Sequence, residues 1–242
     1  MEKINILIPA AGAGSRFSKE GYTKPKPFID VAGVPMIVRV LENLKVEGAH
    51  YIIVMQKSHL EAESQLCKEI ASSYSVSFVS VDSLTEGTAC SVLHARSLIN
   101  NEIPLLIANS DQIVDMDINE FLCDCKNRGL DGSILCFKDK ELNSKWSFVR
   151  LENELVREVK EKEVISPFAT VGIYLFSKGR LFVDGAIDMI ARNDRVNNEF
   201  YTAPSYNYAI NAGAKIGIYL IDFEAMHGIG TPQDLKLYMQ NL

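Results

Sequence analysis

Small residues and cations are concentrated near the start of the chain. Residues 10–15 read Ala-Ala-Gly-Ala-Gly-Ser, and Arg16, Lys24 and Lys26 follow. Small residues let the backbone approach a ligand closely, and their N–H groups can bind phosphate oxygens. Fixed cations beside such a loop add charge-assisted hydrogen bonds to a polyphosphate. The pattern therefore predicts a triphosphate site directly after a first strand, Ile4 to Ile8.

Other interpretations of this loop fit the residues less well. Gly12-x-Gly14 is a fragment of the dinucleotide-binding fingerprint, but Phe17 stands where the third glycine belongs. Glycine and prolines then interrupt any long helix, at Gly21, Pro25 and Pro27. No GKS or GKT sequence of a Walker loop occurs. The remaining alternative is a tight turn followed by a solvated basic loop.

Two groups of carboxylates are candidates for a metal site. Pro104 to Asn109 is an apolar run that predicts a buried strand, and Asp111 lies at its tip. A carboxylate in this position is a natural ligand for Mg²⁺. Asp115-Met116-Asp117 forms a D-x-D, as in metal-dependent glycosyltransferases, but Asp117 is better placed to cap a helix over residues 118–126.

The elements that position these groups alternate between strand and helix. Helical periodicity covers residues 34–46, 58–72 (with Ser58 as the cap) and 88–98, and strands are predicted at 51–55 and 76–81. This β-α alternation indicates a largely parallel sheet covered by helices. Ligands of such sheets bind beyond the carboxyl ends of the strands. The loop of residues 82–89 and the loop at Gly12 should therefore face one crevice.

The pattern changes after residue 131. Strands are predicted at residues 133–137, 146–151, 155–159 and 170–176, mostly antiparallel. Helices at 178–192 and 198–212, a strand at 215–221 and a final helix from 230 follow. No flexible linker precedes this region, so residues 131–175 are predicted to form an acceptor-side lobe within one domain, 1–242. The predicted fold class is α/β, a Rossmann-like, mostly parallel sheet flanked by helices, with a small antiparallel lobe.

Composition narrows the classes of partner. The formal net charge of −6 over 242 residues argues against nucleic-acid binding, which needs a basic face. No apolar run approaches the roughly 18 residues of a membrane span, and the N-terminal residues do not form an export signal. The five cysteines are expected to be free thiols in a reducing cytoplasm. A homo-oligomer is compatible with the sequence, which does not set the oligomeric state.

These residues resemble the signature of the sugar-phosphate nucleotidylyltransferases. The signature is carried by Gly12, Gly14, Arg16 and Pro25-Lys26, and the closing segment Gly230-Thr231-Pro232 resembles the end of the family's domain. The resemblance implies that a loop wraps a nucleoside triphosphate and that catalysis uses Arg16, Lys26 and Asp111, with Mg²⁺ on Asp111. The implied nucleotide-binding residues are Pro9, Ala10, Ala11, Gly12, Ala13, Gly14, Gly87 and Thr88.

The acceptor side of the resemblance rests on three residues. Glu161-Lys162 resembles the family's E-K pair, whose lysine reaches the acceptor's phosphate, and Gly172 resembles the glycine of its G-x-Y strand. Glu199 is a candidate for acceptor hydroxyl or amine groups, or else favours a helix N-terminus electrostatically. Lys162 also lies in an ordinary charge run, residues 160–163, and a solvated position there is the alternative.

Asp82 is the candidate for reading the base. It lies five residues before Gly87, where the family often has a polar residue that contacts the base. An ionised Asp only accepts hydrogen bonds, so cytosine N4–H or guanine N–H groups would satisfy it. This favours CTP as the triphosphate, and a solvated turn is the alternative.

The end of the chain departs from the family pattern. The family usually has a second metal-binding Asp where Gly228 stands here, after His227. Magnesium prefers oxygen ligands, so His227 is a poor replacement. Asp222, Glu224, or the phosphates and water are the alternatives.

The resemblance implies transfer of a nucleotidyl group from a triphosphate to a phosphorylated small acceptor, with release of pyrophosphate. A sugar 1-phosphate and a non-sugar such as phosphocholine are both open as acceptors. A glycosyltransferase using Asp115 and Asp117, and a nucleotide-binding module without turnover, are the alternatives from other classes.

Overall fold

The computed structural model describes residues 3–242 of the chain. Its strands are β1 (Ile4–Pro9), β2 (Asp30–Val31), β3 (Val34–Pro35), β4 (Ala49–Gln56), β5 (Val76–Val81), β6 (Leu105–Ala108), β7 (Gln112–Val114), β8 (Gly132–Lys138), β9 (Ser147–Glu152), β10 (Leu155–Glu161), β11 (Phe168–Phe176), β12 (Ile216–Ile221) and β13 (Met226–Gly228). Its helices are α1 (Ser15–Lys19), α2 (Met36–Asn43), α3 (Lys57–Ala62), α4 (Ser64–Ser73), α5 (Thr88–Leu93), α6 (Arg96–Ile99), α7 (Ile118–Asn127), α8 (Gly179–Ala191), α9 (Ser205–Asn211) and α10 (Pro232–Gln240).

Within the described residues, a nine-stranded sheet forms the centre. Its main path is β10-β9-β11-β6-β1-β4-β5, and β8 joins it by pairing with β11, with β12 outside β8. β1 lies parallel between β4 and β6, so the segments that follow β1 and β6 leave the sheet at the same edge. This arrangement brings the loop after Pro9 next to the loop after Ala108.

The central strands are buried on both faces. Along β1, Ile4, Ile6 and Ile8 pack into one apolar cluster, and Leu7 packs into the cluster on the other side. Helices cover both faces, so a continuous apolar run suits the strand better than alternation. The predicted α/β fold with a mostly parallel sheet is confirmed.

The predicted antiparallel character of residues 131–175 also agrees with the structure. β11 is antiparallel to β6, β8 and β9, and β9 is antiparallel to β10. These strands continue the central sheet. β12, beyond the predicted lobe, returns parallel to β8.

Three predicted helices were wrong in extent. The helix of residues 58–72 is divided at Glu63, which has φ −118°, and Ser58 lies inside α3 rather than capping it. The helix of residues 88–98 is divided at Ala95, which has φ −92° and ψ 11°. The third begins at Ser205 instead of Asn198, because Asn198 has a left-handed φ of 65° that a right-handed helix does not allow.

Candidate active site

A cavity of about 550 Å³ opens at the sheet edge where β1 and β6 end. We call it the first cavity. The predicted site residues that line it are Pro9, Ala10, Ala11, Gly12, Ala13, Gly14, Arg16, Lys26, Gly87, Thr88, Asp111 and Glu199. The other residues of its wall are Ser15, Phe17, Pro27, Leu84, Thr85, Ser91, Asn109, Ser110 and Gly230. Most of the predicted nucleotide-binding residues therefore share one cavity.

The two glycines of the loop, Gly12 and Gly14, differ in whether the protein's own structure requires glycine at that position. Gly14 has a left-handed φ of 62°, and a Cβ there would lie 3.1 Å from the Cβ of Lys26. Gly14 thus lets the chain turn and brings Lys26 against the loop. Gly12 is exposed to the first cavity, has no left-handed φ, and a Cβ there would meet nothing within 4 Å. Packing within the protein does not require glycine at position 12.

Lys26 and Asp111 are in direct contact at the floor of the first cavity. The Nζ of Lys26 forms an ion pair with Oδ2 of Asp111, and both side chains are only partly exposed. Gly230 packs against the same carboxylate, where a Cβ would overlap Oδ2. The N–H of Ile229 donates to the backbone oxygen of Asp111 over 2.9 Å. Two distant segments of the chain, at Lys26 and at residues 229–230, therefore fix the position of Asp111. Lys24 is exposed and lies outside the cavity wall.

Main-chain hydrogen bonds join the loop at Gly87 to the segment at Phe200. The N–H of Phe200 donates to the oxygen of Glu86 over 2.7 Å, and the N–H of Ala89 donates to the oxygen of Phe200 over 3.0 Å. Gly87 has φ 118°, and a Cβ there would overlap the backbone of Phe200. The hydroxyl oxygen of Thr88 accepts a hydrogen bond from the N–H of Thr202 over 3.1 Å. We call this link the 86–202 clamp.

A second cavity of about 290 Å³ adjoins the first. Thr88 and Asn109 line both. The second cavity also contains Lys162 and Gly172, the predicted acceptor-binding residues. Gly172 has φ 97°, and a Cβ there would overlap the side chain of Asn109. The absence of a side chain at Gly172 thus keeps Asn109 in the wall shared by the two cavities.

Lys162 is held in the second cavity by Tyr201. Its Nζ donates to the Tyr201 hydroxyl over 2.6 Å and lies 4.6 Å from the centre of the ring. The hydrogen bond raises the pKa of Lys162, so the ammonium is charged at neutral pH. Lys160, in the same charge run, has a 43% exposed side chain and reaches Glu158 at 3.7 Å. The two lysines therefore occupy different environments.

Glu161 and Glu199 are the carboxylates whose charges act on Lys162. Burial raises the pKa of the Glu161 carboxyl, and the hydrogen bond from the Ser147 hydroxyl opposes that shift. Glu199 lines the first cavity rather than the second. Burial raises the pKa of the Tyr201 hydroxyl, the hydrogen bond from Lys162 opposes that shift, and the nearby Glu199 adds to it. Glu199 thus shares the first cavity with the small-residue loop, and it lies outside any helix.

The structure does not bring Asp82 into the site. Asp82 is exposed and is not among the residues that line the first cavity, whereas Leu84 and Thr85 are. Its predicted contact with the base stays a prediction.

The D-x-D lies apart from the first cavity. The carboxylate of Asp117 accepts a hydrogen bond from the N–H of Asn119 over 2.9 Å and caps α7, as predicted. Asp115 contacts Nε2 of His227 at 2.7 Å. Neither aspartate lines the first cavity, so a metal held there would be away from Arg16 and Lys26.

The residues around Asp111 fit a magnesium ion that is completed by substrate. Within residues 3–242, no three His, Cys, Asp or Glu side chains are close enough together to hold a metal ion. Asp222 and Glu224 line a separate cavity, and Gly228 is exposed. Mg²⁺ is commonly bound by one or two carboxylates, substrate phosphates and several waters. Asp111 supplies one such carboxylate beside the predicted phosphate-binding loop.

Several residues of the site were not predicted from the sequence. Tyr201, Asn109 and Gln112 line the second cavity or its boundary. Asn109 and Gln112 flank Asp111 closely enough for proximity along the chain to have suggested them. Tyr201 had no signal of its own, because its role depends on the long-range contact with Lys162.

The cysteines Cys67, Cys90, Cys123, Cys125 and Cys136 are all free. In the described part of the chain, every helix is too short or too polar to cross a membrane.

Several known proteins are similar to this chain in sequence. A mannose-1-phosphate guanylyltransferase catalytic subunit beta from Dictyostelium discoideum is 27% identical over 179 residues, covering 72% of this chain and 50% of that protein. A mannose-1-phosphate guanyltransferase beta-A from Xenopus laevis is 28% identical over 257 residues, covering 99% of this chain and 66% of that protein. The chain thus spans about half to two thirds of the length of these curated relatives.

Solved structures show the same fold. A nucleoside-diphosphate-sugar pyrophosphorylase from Vibrio cholerae RC9 has a TM-score of 0.81 at 23% identity, covering 97% of this chain and 99% of that chain. An inositol-1-phosphate CTP transferase from T. maritima has a TM-score of 0.74 at 13% identity, covering 99% and 96%. The sequence profile of the family described as nucleotidyl transferase matches residues 5–215. Because this match extends over most of the sequence, the chain belongs to the nucleotidyl transferase family.

Proposed function

We propose that this protein transfers a nucleoside monophosphate from a nucleoside triphosphate to a sugar 1-phosphate and releases pyrophosphate. The observation that carries the proposal is the contact of Lys26 with Asp111 on the floor of a cavity walled by the small-residue loop. This cavity adjoins a second one that contains a held cation, Lys162. A triphosphate site, a metal-binding carboxylate and a cation for an acceptor phosphate are thus side by side.

The loop explains how a triphosphate would be bound. Gly12 faces the first cavity, and nothing within the protein requires glycine there. A close approach of ligand to the backbone is the reason that remains. Arg16 and Lys26 lie on the wall of the same cavity and would bind the phosphate oxygens. Both cations would stabilise the negative charge that moves onto the departing pyrophosphate.

The reaction needs no protein nucleophile. The acceptor phosphate, positioned by Lys162, would attack the α-phosphorus in line, and pyrophosphate would leave on the opposite side. Catalysis then depends on positioning and on charge stabilisation. Mg²⁺ held by Asp111 and the triphosphate would neutralise phosphate charge. Asp111 itself is fixed by Lys26, Ile229 and Gly230.

Two bases are supported by different observations. The position of Asp82, five residues before Gly87, favours CTP. The names of the curated relatives, which are mannose-1-phosphate guanylyltransferases, favour GTP. Asp82 is exposed and outside the wall of the first cavity, which weakens its support for CTP.

The setting of the reaction belongs to the same proposal. Five free cysteines suit a reducing cytoplasm, where nucleoside triphosphates are available. The strands of residues 131–175 belong to the same sheet as β1, which supports one domain for residues 1–242.

The test is pyrophosphate release from ATP, CTP, GTP and UTP, each with glucose 1-phosphate, mannose 1-phosphate and phosphocholine. We expect release that depends on Mg²⁺ and on both substrates, with one triphosphate preferred. Asp111→Asn should lower the rate roughly 10²-fold or more, because a carboxylate that carries charge stabilisation is lost.

Asp117→Asn is the matched control, since asparagine also caps helices well and the fold should be unaffected. Sugar transfer from a nucleotide-sugar, lost in Asp117→Asn and kept in Asp111→Asn, would instead support a glycosyltransferase. Triphosphate binding without release in any combination would support a binding module.

A further inference from the structure

A few buried side chains leave a polar atom without a hydrogen-bond partner in the described structure. They are Asn5, His59, Gln112 and Ser133. Asn5, His59 and Ser133 line neither cavity of the candidate active site. Gln112 lines the second cavity and follows Asp111 directly in the chain. A buried donor without a partner destabilises the free protein, so its position beside a cavity calls for a functional explanation.

The backbone of Gln112 is fixed although its side-chain amide nitrogen is unpaired. Gln112 is 8% exposed and begins β7, which pairs with β13. In this ribbon Gln112 lies opposite Gly228, and the next residue, Ile113, lies opposite His227. The side-chain amide therefore extends from a backbone that strand pairing holds in place, and it follows in the chain directly after Asp111, the carboxylate that we assign to the metal.

Other polar side chains of the second cavity are paired with one another. The Ser147 hydroxyl bonds Glu161, and the Thr170 hydroxyl lies 3.2 Å from the Tyr174 hydroxyl. All four side chains line the second cavity. The wall is thus hydrophilic, and the amide nitrogen of Gln112 is the buried group in it that lacks a partner within residues 3–242.

The hydrogen-bonding groups of an amide restrict the kinds of ligand that can pair with Gln112. An amide offers a donor and an acceptor, and rotation about its last torsion exchanges the two. A hydroxyl group also donates and accepts, so it can satisfy the amide in either orientation. A phosphate oxygen would also accept from the amide nitrogen, but in the proposed function the charged Lys162 binds the acceptor phosphate in this cavity, which leaves the organic part of the acceptor for Gln112.

We propose that Gln112 determines acceptor specificity by hydrogen-bonding a hydroxyl group in the organic part of the acceptor. This rests on the proposed function and deepens it, because it assigns the second cavity to a polyhydroxylated phosphate. Phosphocholine carries no hydroxyl outside its phosphate and would leave the amide unpaired.

The test compares Gln112→Met with Ser133→Ala. Methionine has nearly the length of glutamine and removes the amide. For Gln112→Met we expect the KM for the preferred sugar 1-phosphate to rise about tenfold, as for one lost hydrogen bond, while the triphosphate KM changes less than about twofold. The melting temperature of the free variant should rise, because an unpaired buried donor is gone. Ser133→Ala should also not lower the melting temperature, and its acceptor KM should match that of the unaltered protein.

Distinct outcomes would overturn the assignment. An unchanged acceptor KM in a folded Gln112→Met protein would overturn it, and so would unaltered protein with a kcat/KM for phosphocholine at or above that for the sugar phosphates. If Gln112→Met does not fold, Gln112→Leu gives the same comparison, because leucine also removes the donor and the acceptor and adds no charge. Failure of the unaltered protein to release pyrophosphate with any acceptor would refute the proposed function instead.

Discussion

The first cavity takes much of its wall from one continuous segment, residues 9–17, whereas the second cavity is assembled from side chains of several distant segments. In the first, small residues expose backbone N–H groups, and the cations follow within a few positions. In the second, Lys162 depends on Tyr201, 39 positions away in the chain. A site made by local backbone can be detected as a motif, and a site made by long-range side-chain contacts cannot.

The same difference predicts different kinetic effects for the two lysines. Lys26 touches Asp111, the carboxylate proposed to bind the metal, and lines the predicted triphosphate site, so its contribution should grow as charge moves in the transition state. Lys162 should contribute equally before and during reaction, because the acceptor phosphate is already charged when it binds. Kinetic measurements on variants of the two lysines therefore test this difference.

Lys26→Met should have the largest effect. We expect kcat to fall by roughly 10²-fold, because one preorganised donor to the developing charge is removed. Methionine keeps much of the volume of the lysine stem, which limits disturbance of packing. Steady-state kinetics with both substrates varied will measure it, and an intact kcat would mean that the loop is not part of the catalytic apparatus.

Lys162→Met should act on acceptor binding. We expect the acceptor KM to rise about 10- to 100-fold, as for a lost charge-assisted hydrogen bond, with the triphosphate KM nearly unchanged. Lys160→Met is the matched control, because Lys160 lies in the same charge run but pairs with Glu158 and does not line the second cavity. Equal effects of the two variants would show that Lys162 is only a solvated charge.

Gly12→Ala and Gly14→Ala separate a ligand role from a structural role within the first cavity. Gly12→Ala should keep the melting temperature and raise the triphosphate KM roughly tenfold, as an added methyl crowds the ligand. Gly14→Ala should lower the melting temperature, because alanine disfavours the left-handed φ of 62°. If Gly12→Ala is kinetically silent, the backbone at that position does not approach the triphosphate.

Gly228→Asp tests the departure from the family pattern. A side chain at Gly228 meets no protein atom within 4 Å, so aspartate can be accommodated. A second carboxylate beside Asp111 should lower the Mg²⁺ concentration for half-maximal activity by roughly threefold, since one or two carboxylates are usual for this ion. Titration of activity with Mg²⁺ measures the change, and an unaltered midpoint would place residue 228 outside the metal's surroundings.

Asp82→Ala should have the smallest effect. Asp82 is exposed and outside the wall of the first cavity. We therefore expect the ratio of kcat/KM for CTP and UTP to change less than about threefold, below the effect of one hydrogen bond to a charged group. A tenfold or larger change would restore Asp82 as the residue that reads the base.

Most of the fold and of the first cavity could be predicted because their signals are local. Apolar runs such as Ile4 to Ile8 and the glycines at 12 and 14 are visible within a few residues. The breaks at Glu63 and Ala95 were missed because helical periodicity continues across them. The start of α9 was missed because the left-handed Asn198 and the bridge between Val196 and Glu199 are not visible in composition.

The second cavity was predicted only in part. Lys162 and Gly172 were identified by resemblance, but nothing in the sequence placed Tyr201 against Lys162 or left Gln112 unpaired. Both features arise when strands and loops distant in sequence pack together.

The 86–202 clamp has a consequence for how this site can diversify. The bonds of Phe200 to Glu86 and Ala89 are made by main-chain atoms, so they do not depend on side-chain identity at residues 199–203. Residues 201–203 line the second cavity, so mutations there would alter the proposed acceptor site while the main-chain link to the loop at Gly87 stays constant. Selection could therefore change the substrate in small steps without rebuilding the reaction centre.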